Sequence, residues 1–119
     1  MSFNHLVVWL DHEEAHLIGF NRDESESSVI KSDAAHKHVR GKTVDSAAYF
    51  DDLAKALKTA VEVLVVGPGQ EKLKLVKHLV KHHHDQADKI VGVETIDHPS
   101  DGQLLAYARK YFHRVDNMR

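Results

Sequence analysis

Apolar residues in the first thirty positions come in short blocks. His5 to Asp11 reads HLVVWLD and Ala15 to Phe20 reads AHLIGF. Both are β-branched and apolar, and the polar break HEE between them predicts a hairpin turn. The charged run NRDESES follows as a second turn, and SVIK offers a third, shorter strand. Three consecutive strands with short links predict an antiparallel meander. From Ser46 to Ala60 the period lengthens. Phe50, Leu53, Ala54, Leu57 and Val61 recur at three- and four-residue steps, which predicts an amphipathic helix. Thr43 or Asp45 can cap its start. VEVLVVG then reads as an apolar strand ended by GPG, and EKLKLVKHLVKHH as a second helix. That helix places Leu73, Val76, Leu79 and Val80 on one face and lysines on the other. KIVGVE is a fifth strand. SDGQLLAYARKYF closes the pattern, with Leu104, Leu105, Ala108 and Phe112 at helical spacing. Ser100 and Gln103 match a capping box, in which each side chain satisfies a free backbone N–H at the helix start.

The predicted order is therefore β-β-β-α-β-α-β-α. After the meander, each strand–helix–strand unit forces parallel neighbours through a right-handed crossover. The expected architecture is α/β: a mixed five-stranded sheet with helices on its faces, in the element order of ribonuclease H-like folds. No internal repeat, low-complexity tract or linker interrupts the pattern, so residues 1–119 read as a single domain.

Composition narrows the function. The chain holds 16 Lys and Arg against 18 Asp and Glu, a formal charge of −2. General polyanion binding is excluded, and any nucleic-acid contact must come from a local basic patch. No cysteine occurs, which removes disulfides, thiolate metal sites and a Cys nucleophile together. The longest apolar runs, LVVWL and VLVV, fall far short of the roughly 18 residues of a membrane span. MSFNH lacks the basic and apolar regions of a signal peptide. A cytoplasmic protein with no membrane partner is expected. The 11 histidines are unusual and leave charge sensitive to pH near ~6.5.

Several motifs admit both a chemical role and a plainer structural one. A nuclease of ribonuclease H type needs several carboxylates around two metal ions. Asp11 ends the first strand where one ligand belongs, but the fourth strand ends in VVGPG without an acid, and Asp51 and Asp52 read as solvated. GPGQEK sits where backbone N–H groups can hold phosphate, yet it matches neither phosphate-binding glycine motif. It reads as a tight strand-to-helix turn, with Pro68 fixing the backbone and Glu71 complementing the helix N-terminus. His78 and His82 share a helix face, and His82, His83 and His84 form a run. Basic groups at a helix C-terminus complement its dipole, so no metal ligand and no cofactor is assigned. Asp97, His98 and Ser100 lack a nucleophile elbow, and His98 with Pro99 is expected to shape the turn into the last helix. No catalytic residue is assigned. The stretch AHKHVRGKTVDS concentrates His36, Lys37, His38, Arg40 and Lys42 around Gly41, between the third strand and the first helix. Arg binds phosphate in a bidentate way and Lys as a point charge, so these five are the candidate RNA-binding residues.

VEVLVVGPGQEKLKLVKHL, followed by KIVGVETIDHPSDGQLLAYARKYF and preceded by a hairpin and the HKHVRGK loop, resembles the middle domain of the archaeal and eukaryotic peptide-release-factor and Pelota family. More closely, it resembles small stand-alone bacterial members described as translational machinery proteins. In the family's release factors the loop before the first helix carries Gly-Gly-Gln, which promotes peptidyl-tRNA hydrolysis. Here the matching stretch is HVRGKTVD: Gly41 stands for one glycine and Lys42 replaces glutamine. The resemblance thus implies association with the ribosome or tRNA without peptide release. The alternatives are a metal-dependent hydrolase using Asp11 and the histidines, or a protein-interaction module with an exposed apolar patch.

Overall fold

The computed structural model describes residues 3–32 and 47–117. The elements run β1 (Phe3–Leu10), β2 (Glu14–Phe20), β3 (Ser25–Lys31), α1 (Ala47–Leu57), β4 (Ala60–Gly67), α2 (Glu71–His82), a single-turn α3 (His84–Ala87), β5 (Ile90–Thr95) and α4 (Asp101–Asn117). The sheet order is β3-β2-β1-β4-β5. β1 pairs antiparallel with β2, and β2 with β3, while β4 lies parallel to both β1 and β5. The mixed five-stranded α/β sheet expected from the element order forms, but β4 lies beside β1 and not beside β3, so of the two strand–helix–strand units only β4–α2–β5 joins parallel neighbours as expected.

Alternation along β1 divides the core in two, because successive strand side chains point to opposite faces. Leu6, Val8 and Leu10 join Leu53 and Leu57 of α1 and Leu75 and Leu79 of α2 on one face. Val7 and Trp9 join Ile18, Phe20, Leu64 and Val66 with Leu104, Ala108 and Phe112 of α4 on the other. β4 repeats the division, with Val63 and Val65 on one side and Leu64 and Val66 on the other. A central strand buried on both faces reads as a continuous apolar run, which is why VLVV carries no alternation. The Ser100–Gln103 capping box forms as expected. Ser100 N donates to Gln103 Oε1 at 3.0 Å, and Gln103 N donates to Ser100 Oγ at 3.2 Å.

Three further expectations need correction. β3 starts at Ser25, so Ser25, Glu26 and Ser27 belong to a strand and not to a turn. As an edge strand with most residues exposed, it needs no apolar alternation to pair. α2 is rotated from the expected face: Leu73 and Val80 are 50% and 51% exposed, whereas Leu75 and Leu79 are fully buried. Lys72 completes the buried stripe because its Nζ turns back to donate to Gly69 O at 2.5 Å. Finally, the first helix ends at Leu57, and Ala60 already belongs to β4. Among the described residues no helix is long and apolar enough to cross a membrane.

Candidate nucleic-acid interface

His36, Lys37, His38, Arg40 and Lys42 lie outside the described residues, as do the candidate caps Thr43 and Asp45. α1, the element that follows them in sequence, packs with α2 on one face of the sheet. On α2, Lys74, Lys77 and Lys81 recur at three- and four-residue steps and are all exposed. They line a shallow recess together with His78 and His82 of α2 and Ala47 at the start of α1. Lys74 spends part of its charge on Glu71, at 3.2 Å. Lys77 and Lys81 make no ion pair with a described residue.

A polar clasp holds α1 against the end of α2. Asp51 Oδ1 lies 2.7 Å from His78 Nε2 and 2.7 Å from His83 Nε2. Asp51 is therefore a bridging group and not the free, solvated acid expected. Hydrogen bonds from His83 and His78 hold its carboxyl below the usual carboxylate range. A depressed carboxyl pKa stabilises the fold above the unfolded value near ~3.9, and that stabilisation disappears as pH falls through the lower folded value. Wild type should accordingly have a higher urea midpoint than Asp51→Asn near neutral pH. The gap should close below about pH 4. A gap that is constant with pH would rule out the clasp as its source.

His78 and His82 do come together, with ring centroids 4.8 Å apart. The ligand-type cluster, however, is Asp51, His78 and His83, and His82 is outside it. His83 was reachable only as part of a run, because its position at the C-cap of α2 depends on where that helix stops. The other candidates take structural roles. Asp11 Oδ1 accepts from Glu13 N at 2.8 Å and Glu14 N at 2.9 Å, which fixes the β1–β2 turn. Tyr49 donates to Asp11 O at 3.1 Å, and burial, aided by the Asp11 carboxylate, pushes its hydroxyl pKa far up and keeps it neutral. Asp11 belongs to neither group of three ligand-bearing side chains found among the described residues. GPGQ is the expected turn, with Glu71 in the first turn of α2. Ser100 Oγ is occupied by its cap, and Asp97 contributes its backbone carbonyl, to Trp9 Nε1 at 3.2 Å, so Asp97, His98 and Ser100 assemble no triad. His98 does more than shape a turn, since its ring stacks edgewise on Trp9 at 4.2 Å.

No protein-family model matches the chain, and no curated protein matches it in sequence. Solved structures do. Pelota of Thermoplasma acidophilum superposes with a TM-score of 0.64 at 18% identity, over 85% of this chain and 30% of that one. The archaeal translation termination factor aRF1 gives 0.60 at 12% identity, over 96% of this chain and 38% of that one. Dom34 of S. cerevisiae, a translation termination-like factor involved in RNA quality control pathways and interacting with Hbs1, gives 0.52 at 11% identity, over 76% and 28%. The chain thus spans about a third of the length of the structures it matches, and what it shares with that third of Pelota and aRF1 is the fold.

Proposed function

We propose that this chain is a non-catalytic, translation-associated protein that binds the ribosome or a structured RNA such as tRNA. The observation that carries this reading is the exposed row Lys74, Lys77 and Lys81 beside Ala47. Lys42 lies only five residues before Ala47, and a chain of five residues reaches at most about 18 Å. Basic residues are thus concentrated in the lysine row and, in the sequence shortly before α1, at Arg40 and Lys42. In a protein with a formal charge of −2, such a concentration favours phosphate locally while the rest of the surface does not. The fold shared with Pelota, aRF1 and Dom34 supports a translation setting. Lys42 in place of glutamine supports binding without peptide release. We read the chain as one domain acting in the cytoplasm.

Co-sedimentation of untagged protein with ribosomes and subunits across salt tests the proposal. Arg40→Ala/Lys42→Ala should weaken pelleting and reduce the slope of log affinity against log salt by about 1.4–1.8, at about 0.7–0.9 per phosphate contact. Lys74→Ala/Lys77→Ala/Lys81→Ala should reduce it by about 2–3. Slopes unchanged in both variants would remove the basic surface as the binding site. A second reading, a protein-interaction module, is favoured by the half-exposed Leu73 and Val80 on the outer face of α2. Pelleting that resists salt but is lost on Leu73→Ser/Val80→Ser would select it.

A further inference from the structure

Away from the lysine row, on the α4 face, a second set of polar groups converges. Glu14 and His16 alternate on β2 and point to the same face as Ile18 and Phe20, which pack under α4. His98 reaches the same place from the segment between β5 and α4, and Asp101 from the first turn of α4. His16 Nε2 is 2.5 Å from Glu14 Oε2, and Asp101 Oδ1 is 3.3 Å from His16 Nδ1. His16 Nδ1 is buried and, although Asp101 is close, makes no well-aligned hydrogen bond. The rings of His16 and His98 meet almost at right angles, 5.2 Å apart. Trp9 backs both, and its Nε1 ties down the Asp97 carbonyl beside His98. Ligand atoms of Glu14, His16 and His98 all lie within 4.8 Å of one another.

We infer that Glu14, His16 and His98 form a site for one divalent ion of the zinc class. Two imidazoles and one carboxylate are a donor set for borderline transition metals. Magnesium and calcium, which want oxygen ligands, are disfavoured. Asp101 Oδ1 stands beside Nδ1 of His16, where a carboxylate orients a metal-ligating histidine, and the ion would replace the proton now shared by Nε2 and Glu14 Oε2. Three protein ligands leave a fourth position for water. Local charge among the described residues agrees, because Glu14, Asp97 and Asp101 are acidic and Lys31, opposite Glu14 on β3, is exposed. The Asp51–His78–His83 cluster is the weaker candidate. Among the described residues neither of its imidazoles has a carboxylate at Nδ1 to orient it, and the lysine row lies along the same helix. The assignment is independent of RNA binding.

Titration of untagged protein with Zn2+ alone, against a chromophoric chelator, tests it. Wild type should bind one equivalent. His98→Ala and Glu14→Gln should weaken binding by more than about 100-fold, and Asp101→Asn by about 10–100-fold, while His83→Ala leaves it unchanged. His98 is exposed, so its truncation leaves the fold intact, checked by far-ultraviolet circular dichroism. No stoichiometric binding by wild type, or affinity unchanged in His98→Ala and Glu14→Gln, overturns the assignment. So does binding lost only in His83→Ala, which would indicate the other cluster or the histidine run.

Discussion

Trp9→Ala should lower the free energy of unfolding by about 3–5 kcal/mol, read as a large fall in urea midpoint. Trp9 is 2% exposed and lies within the cluster that joins the sheet to α4. Its removal deletes a large apolar area and leaves a cavity that Leu104, Ala108 and Phe112 on a rigid helix can only partly fill. The indole also donates to Asp97 O at 3.2 Å, so the segment leading into α4 loses an anchor in the same substitution. Trp9→Phe separates the two contributions. It keeps most of the apolar area and loses the hydrogen bond, worth about 1 kcal/mol, together with a smaller cavity term. A loss below about 1 kcal/mol for Trp9→Ala would mean that the α4 face is not packed as described. Because Trp9 also backs His16 and His98, Trp9→Phe should retain more zinc affinity than Trp9→Ala.

Elements whose residues are buried on one or both faces were legible in the sequence, because burial imposes a period. β1, β2, β4 and the apolar stripe of α1 show this, and the capping box marked the start of α4. α2 was legible as a helix but not in its orientation. Leu73, Leu75, Val76, Leu79 and Val80 form two overlapping stripes, and an apolar count prefers the one containing Leu73, Val76 and Val80. The stripe that is buried includes Lys72, whose apolar stem packs while its ammonium finds the Gly69 carbonyl. No periodicity rule promotes a lysine to the core. The start of β3 was misplaced for the opposite reason: its partner supplies the ladder, and its exposed side chains carry no pattern.

The side-chain clusters were the least legible part. Glu14 and His16 stand at i and i+2 on a strand, a spacing that places both on one face and was readable once β2 was assigned. His98 is far away in sequence and becomes their neighbour only because β5 and α4 return the chain to the same end of the sheet. Asp51, His78 and His83 are likewise joined only by the packing of α1 on α2. Histidine count thus announced that something was unusual, while topology decided which histidines meet.

Gly67→Ala should be among the most damaging of the small substitutions, and Gly69→Ala, two residues on, should be harmless. Gly67 closes β4 where that strand runs beside β1, and a methyl group there would collide with the Leu10 carbonyl oxygen. That oxygen is backbone in a central strand and cannot swing aside as a side chain could, so the strands must part or shift. Overpacking of this kind costs about 1–3 kcal/mol and sometimes more. Gly69 has open space around its missing side chain. Alanine there restricts the unfolded chain and should leave stability equal or raise it by about 0.4–1 kcal/mol. Paired urea titrations of the two variants check both values. Equal losses would mean that both glycines serve the turn through backbone freedom. A loss at Gly67 alone would show that the glycine is required by the close approach of β4 to β1, the contact that seats GPGQ at the start of α2 and so sets where the lysine row begins.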